Sequence, residues 1–347
     1  MKPYQILLRP SGHIFSAEPT ETILEAALRQ GLSLPYGCRN GACGTCKGKI
    51  IQGHVDYGCY DEAVLTELEK QQGMALFCRA MPQSDLEIES REIVTIKDIK
   101  IRTLPCRVQK LDHVAPDVMI IYLKLPTNER LQFLPGQYID ILMKDGQRRS
   151  FSLANAPQND DFLQLHARNY NGGVFSQYVF SQMREKDILR FEGPLGTFCL
   201  REAPEKNTTI IFLAGGTGFA PVKSMLEHIF QNENRLFRQC DILFYWGART
   251  RADLYLDELP RKWAMENKNF NYVPVLSEPA PTDTWPGRTG LVHQAVMEDL
   301  IDLSNCQVYA CGAPAMISAA FDDFTRARGL KVENFFSDAF TPSVTAK

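Results

Sequence analysis

The stretch Pro35-Tyr36-Gly37-Cys38-Arg39-Asn40-Gly41-Ala42-Cys43-Gly44-Thr45-Cys46 decides how the first quarter of this chain folds. Three cysteines stand at the spacing C-x4-C-x2-C. A fourth, Cys78, follows in Ala75-Leu76-Phe77-Cys78-Arg79-Ala80, a short apolar run able to bring one more thiolate back. That spacing is a ligand pattern for a [2Fe-2S] cluster, with Cys38, Cys43, Cys46 and Cys78 as the metal ligands. Gly37, Gly41 and Gly44 punctuate the ligands. A loop that wraps a compact anion must turn its N–H groups inward, and glycine permits the positive-φ turns this takes. Zinc is the alternative, but structural zinc sites use paired C-x2-C knuckles and this chain has one. Cys59 competes for the fourth place. It lies close to Cys46 in a Tyr- and Gly-rich loop, and Cys78 is preferred.

Outward from that loop, Tyr4–Leu8 and Ile14–Ala17 read as strands around a Pro10-Ser11-Gly12 turn. Thr22–Arg29 reads as a helix, with Thr20 or Glu21 near its start and Gly31 after its end. The chain has 347 residues, room for two or three domains, with 44% hydrophobic and 23% charged residues, ordinary for a globular protein. A net charge of -3 speaks against nucleic-acid binding. That excess sits wholly within residues 1–92. There Asp56, Asp61, Glu62, Glu67 and Glu69 offer an acidic docking surface for a basic partner, or an ordinary solvated face. The opening residues lack the apolar core of a signal peptide, and no apolar run approaches the roughly 18 residues that span a bilayer. Cysteines kept as thiolates for metal fit a reducing cytoplasm.

The charged residues 90–102 mark a boundary. Beyond them, strand-like runs at Cys106–Leu111, Val118–Leu125, Tyr138–Met143, Phe151–Ala154, Phe162–Ala167 and Ile188–Glu192 have the spacing of a small antiparallel barrel. Two motifs lie on it. In Arg149-Ser150-Phe151-Ser152, the arginine brings a fork of donors that suits phosphate, the phenylalanine a flat face and Ser152 a hydroxyl. In His166-Ala167-Arg168, then Gly172-Gly173-Val174-Phe175-Ser176, the two glycines form a phosphate nest before a helix expected from Ser176 to about Met183. Ser176 is its N-cap or a phosphate donor.

Thr208–Ala214 is a buried parallel strand by pattern. Gly215-Gly216-Thr217-Gly218-Phe219-Ala220-Pro221 follows, then a helix expected from about Val222 to Phe230. Strand, glycine-rich turn and helix let a backbone approach a pyrophosphate at a helix start. Further strands at Asp241–Trp246, Tyr272–Leu276 and Gln307–Ala310 imply a parallel sheet, the last running into Cys311-Gly312-Ala313-Pro314. The other cysteines, Cys106, Cys199, Cys240 and Cys306, read as buried thiols.

In this order the motifs resemble the iron–sulfur flavoprotein reductases of the ferredoxin–NADP reductase superfamily with an N-terminal plant-type ferredoxin, over nearly the full chain. The resemblance implies a multidomain α+β and α/β protein. It would comprise a β-grasp [2Fe-2S] ferredoxin at 1–92, an antiparallel FAD-binding β-barrel at 101–203 and a parallel-sheet NAD(P)H-binding domain at 207–347. It places Arg149 on the flavin pyrophosphate, Phe151 on the isoalloxazine and Ser152 near flavin N5. Gly172, Gly173, Val174, Phe175 and Ser176 would hold the pyrophosphate from the other side. Phe151 departs from the commoner tyrosine, which keeps the stacking and loses a hydroxyl. Gly215, Gly216, Thr217, Gly218 and Pro221, with Gly312, would hold the dinucleotide, and Cys311 would lie beside the nicotinamide. Asp253, after Arg249 and Arg251, suits the bare ribose of NADH, with NADPH the alternative. Phe340, or next Phe336, would cover the flavin face. Ser152, Cys311 and Phe340 are thus the candidate catalytic residues.

The resemblance also implies a path from NADH through FAD and the cluster to a protein electron acceptor, since a hydride carries two electrons and the cluster takes one. That acceptor would be a dehydrase of 3,6-dideoxysugar biosynthesis, or the hydroxylase of a multicomponent oxygenase of the phenol or methane type. A different class, a non-catalytic ferredoxin-like binding or redox-sensor protein, would keep the fold without the chemistry.

Overall fold

A computed structural model describes residues 3–91, 99–170, 172–201, 208–231 and 237–341. The expected boundaries near 92–101 and 203–207 fall mostly outside the described residues. The chain forms two compact units, one of residues 1–99 with 196–198 and 338–347, the other of 100–195 and 199–337.

In the first unit a five-stranded mixed sheet runs in the order Ile14–Ala17, Tyr4–Arg9, Leu86–Glu89, Lys47–Gln52, Met74–Leu76. Alternation along these strands sends Ile6, Leu8, Phe15, Ala17 and Ile88 into one core. The helix Ile23–Arg29 buries Ile23, Leu24, Ala26 and Ala27. It begins later than Thr20 or Glu21. Thr22 is the N-cap, accepting from the Glu25 N–H while the Glu25 carboxylate accepts from the Thr22 N–H, a reciprocal capping box. Met74–Leu76 pairs antiparallel with Lys47–Gln52. That pairing carries Cys78, just beyond one strand, back to Cys46, just before the other.

The second unit holds two sheets. The first runs Arg148–Ser152, Tyr138–Leu142, Ile188–Leu195, Arg102–Ala115, Val118–Lys124, Leu163–Arg168, every neighbour antiparallel. A bridge between Leu153 and Leu165 joins its two end strands and closes a barrel, filled by Val108, Ile121, Ile139, Leu153, Leu165 and Phe191 among others. Arg102–Ala115 is longer than Cys106–Leu111. Its first half bonds Ile188–Leu195 and its second half bonds Val118–Lys124, so one strand serves two partners. The helix Val174–Ser181 starts two residues before Ser176. Gly173 is its N-cap, and Ser176 sits inside the first turn, its Oγ donating to the Gly173 carbonyl at 2.9 Å.

The second sheet runs Arg288–Thr289, Phe270–Leu276, Ile242–Ala248, Thr209–Gly215, Cys306–Gly312, Phe335–Ala339, and the first five are parallel. Strand order reverses between Thr209–Gly215 and Cys306–Gly312, which puts a crevice at their carboxyl ends. The helix after the glycine-rich turn is Phe219–Gln231. It starts earlier than Val222 because Gly216–Gly218 already coil as a 3-10 turn leading into it. Pro221 falls in the first turn, where its missing N–H removes no helix bond.

Candidate functional site

The four predicted cysteines come together as two pairs. The Cys38 and Cys43 thiols hydrogen-bond each other, and Cys46 Sγ lies 3.2 Å from Cys78 Sγ. Among the described residues no three His, Cys, Asp or Glu side chains converge on one point. Two pairs of thiols fit two irons with two thiolates each. The backbone is turned toward the sulfurs: Ala42 N–H donates to Cys38 Sγ and Cys38 N–H to Cys43 Sγ, both at 3.4 Å. The bond from Cys43, helped by the N–H groups of Asn40 and Ala42, brings the Cys38 thiol down to about 7 despite its burial. Cys78 is likewise lowered, by Cys46 first and by the Gly41 N–H. Their partners Cys43 and Cys46 move up, each as the donor of its pair. The loop is built to hold negative sulfur.

Gly41 and Gly44 take the left-handed conformation expected of them, at φ 81° and 78°, and Arg39 joins them at 59°. Gly37 does not. Its requirement is space, since a Cβ there would sit 3.3 Å from Cys43 Sγ and 3.4 Å from Asp338 Oδ1. Asp338 went unnoticed in the sequence. It is buried, and burial first, then the Cys43 sulfur, push its carboxyl up to about 7. Thr197 was also missed. Its hydroxyl accepts from the Tyr36 N–H and donates to the Tyr36 carbonyl, both at 3.0 Å, anchoring the entry to the loop. Cys59 is exposed, consistent with a thiol outside the ligand set.

On the barrel, Arg149, Phe151 and Ser152 share one strand. The Phe151 ring lies 5.1 Å from that of Phe175, so the two phosphate-and-ring motifs adjoin. Arg149 lies along its own strand, donating to the Arg148 carbonyl at 2.8 Å and to Gln147 Oε1. Gly172 has φ 81°, and a Cβ there would meet nothing within 4 Å. Val174 is exposed beside it. An open, N–H-rich ledge beside an arginine suits a diphosphate.

In the crevice of the second sheet the two glycine motifs lock backbone to backbone. A Cβ on Gly218 would sit 2.1 Å from the Cys311 carbonyl oxygen, a distance no side chain survives. A Cβ on Gly312 would sit 3.0 Å from the Gly215 nitrogen. Trp246 Nε1 donates to the Gly216 carbonyl at 2.9 Å, and its ring stacks on Phe219 at 4.3 Å. Cys311 is fully buried. Asp253 has both oxygens engaged: Oδ2 accepts from the Thr250 N–H and hydroxyl, and Oδ1 faces Arg168 at 3.3 Å. Arg251 is tied to Asp283, whereas Arg249 is exposed.

Three residues of this region carried no assigned role in the sequence. His166 Nδ1 bonds the Tyr255 hydroxyl at 2.8 Å, both buried. Lys223 is buried, with Nζ donating to the Ala154 carbonyl and Gln164 Oε1 and lying 2.7 Å from Glu227. Arg168 reaches from the barrel to Asp253. One strand, Leu163–Arg168, supplies Gln164, His166 and Arg168, and strand periodicity puts them on one face. Phe336 packs into the sheet. Its ring is buried and stacks on Tyr309 at 4.9 Å, inside the sheet's own core. Phe340 is half-buried in the first unit.

Comparison with known proteins agrees with this geometry. Residues 6–83 match the family of 2Fe-2S iron-sulfur cluster binding domains. Residues 105–199 match the oxidoreductase FAD-binding domain, and 212–322 the oxidoreductase NAD-binding domain. The chain is 44% identical to CDP-6-deoxy-L-threo-D-glycero-4-hexulose-3-dehydrase reductase of Yersinia pseudotuberculosis, over 97% of this chain and 98% of that one. It is 33% identical to the phenol hydroxylase P5 protein of Acinetobacter pittii, over 97% and 95%. Among solved structures, a cytochrome P450 reductase of Amycolatopsis superposes with a TM-score of 0.79 at 32% identity, covering 98% of this chain and 99% of that one. No helix of the described residues is long and apolar enough to cross a membrane. The chain belongs to the iron–sulfur flavoprotein reductases of the ferredoxin–NADP reductase superfamily, oxidoreductases that carry a [2Fe-2S] cluster, FAD and a nicotinamide dinucleotide on successive domains.

Proposed function

We propose that this chain takes electrons from NADH and delivers them to a dehydrase acting on a CDP-linked 6-deoxyhexulose, the work of a CDP-6-deoxy-Δ3,4-glucoseen reductase. The observation that carries this reading is the end-to-end identity of 44% with such a reductase, against 33% with an oxygenase component of similar coverage. Bound FAD accepts the electron pair and releases it singly, and the cluster passes one electron at a time.

The residues divide the labour. Cys38, Cys43, Cys46 and Cys78 hold the irons, and the N–H groups around them offset the negative sulfur. Arg149 and the ledge at Gly172–Ser176 would bind the flavin diphosphate, Phe151 would pack on the ring, and Ser152 would offer a hydroxyl near flavin N5. Gly215–Gly218, with Pro221 and Gly312, admit the dinucleotide backbone. Cys311, small and buried, would set the depth of the nicotinamide. Asp253 favours NADH over NADPH, since a 2′-phosphate would meet its carboxylate. The domains follow the boundaries 1–92, 101–203 and 207–347. Partner docking falls on Asp56, Asp61 and Glu62, which are exposed. Glu67 and Glu69 contribute less, being paired with Lys70 and Lys47. None of the ten cysteines is joined in a disulfide, which suits the cytoplasm.

The test mixes the holoprotein with NADH, that dehydrase and its CDP-sugar. Turnover that requires this chain supports the reading. Electron delivery to a phenol hydroxylase component and none to the dehydrase would replace it with the oxygenase alternative.

A further inference from the structure

The polar joint around Arg168 has a composition that domain packing alone does not ask for. Arg168 ends the barrel strand Leu163–Arg168, and its side chain is 13% exposed. Two carboxylates from opposite sides share it. Asp253, on the nucleotide-binding part, accepts from Nη2 at 3.3 Å. Asp117, in the barrel turn after Arg102–Ala115, lies 3.2 Å from Nε. That second contact is an ion pair without an aligned hydrogen bond, for the buried Nε has no hydrogen-bond acceptor. The guanidinium also lies against the glycine-rich turn: a Cβ on Gly216 would sit 3.1 Å from Nη1. Beside it opens a cavity of about 300 Å³ lined by Asp117, Arg249, Thr250, Asp253 and Glu278 among others.

These facts fit one arrangement. The turn Gly215–Gly218 has no charge of its own, yet a dinucleotide brings two negative phosphates to it. The guanidinium lies on the turn, and its fork matches two phosphate oxygens. Asp117 is 34% exposed and not aligned for a hydrogen bond, so it is the weaker of the two restraints.

We propose that Arg168 is a further dinucleotide-binding residue, and that Asp117 is a built-in competitor which holds it until the pyrophosphate of NADH displaces the carboxylate. The inference rests on reading Gly215–Gly218 as the dinucleotide site. While Asp117 holds Arg168, only a fraction of molecules presents the cation, and apparent affinity falls by that fraction. After hydride transfer the same carboxylate takes Arg168 back and helps NAD⁺ leave. Asp253 stays with its turn, since its other oxygen caps Thr250.

The test uses holoprotein with ferricyanide as acceptor, and ADP-ribose and adenosine as competitors of NADH. Asp117→Asn should lower the NADH KM and the ADP-ribose Ki by about three- to tenfold and make NAD⁺ a stronger product inhibitor. Arg168→Ala should raise the ADP-ribose Ki more than about tenfold, the loss of a charge-assisted bond pair. The adenosine Ki should stay within about twofold, because adenosine has no phosphate. In the double variant Asp117→Asn should have no further effect, since it has nothing left to release. Arg168→Lys keeps the charge without the fork and gives the same ordering at smaller amplitude where the alanine variant does not fold. Three outcomes overturn the competitor: Asp117→Asn without effect on KM, an Asp117→Asn gain that survives in the Arg168→Ala background, or adenosine and ADP-ribose weakened alike. A wild-type protein whose flavin NADH does not bleach would overturn the dinucleotide reading itself, and is told apart by needing no variant.

Discussion

The loop at 37–46 and the turn at 215–218 both face an anion with backbone N–H groups, but they meet its charge differently. The cluster loop carries its own ligands. Four cysteines gather there in two pairs, and N–H groups from Cys38, Asn40 and Ala42 turn toward their sulfurs. The turn carries no charged residue at all. Its cation, Arg168, comes from another strand and is shared with two carboxylates. A group that never leaves is held by a self-sufficient loop, and a group that must leave each cycle is held by charge on loan.

The largest break in that comparison is at the cluster. Cys43→Ser should lower NADH–cytochrome c reduction more than about a hundredfold, while ferricyanide reduction, served by the flavin alone, stays within about twofold. If both activities persisted, the two centres would not act in series. Next comes Gly218→Ala. The added Cβ meets the Cys311 carbonyl at 2.1 Å, so backbone must move on both motifs. NADH-dependent flavin bleaching should slow by about tenfold or more, with the iron content unchanged. Wild-type rates from this variant would show that the locked pair of glycine motifs is not the dinucleotide site.

Arg149→Ala should weaken FAD retention by about tenfold, read as flavin per protein after dialysis, because a charge-assisted phosphate contact is lost. Full flavin content would remove Arg149 from the site. The smallest effect is in the first unit. Lys47 hydrogen-bonds Glu69 and, with the Thr66 N–H, holds its carboxylate below its ordinary value of 4.5. A depressed carboxylate adds stability above its unfolded value and loses it as pH falls through the folded one. Glu69→Gln should therefore cost under about 1 kcal/mol at pH 7, the pair being partly exposed. The gap should close as the pH drops below about 4. A gap that widened on acidification would place the stabilisation elsewhere.

What could be read from residues alone follows the same division. Three of the four cysteines share one loop, so Cys38, Cys43 and Cys46 announce themselves, and the barrel strands show in their alternation. Glycine motifs mark where backbone comes near phosphate, and Gly218 and Gly312 explain their own necessity. Residues that act from another element leave no local trace. Asp338 reaches Gly37 from the far end of the chain, and Thr197 grips Tyr36 across some 160 positions. Arg168 stood in plain view within His166-Ala167-Arg168, yet spacing does not say which face of a strand meets which neighbour. Phe336 shows the same limit, because an aromatic near a C-terminus looks the same whether it covers a flavin or packs on Tyr309.

Lys223 has a last consequence. From the first turns of its helix it bonds the Ala154 carbonyl and Gln164 in the barrel, and the next residue, Ser224, donates to the Asn155 carbonyl at 2.7 Å. These stitches are buried, so prising them apart would strand an ammonium group in a dry seam. The second unit is therefore a monoblock rather than a clamshell.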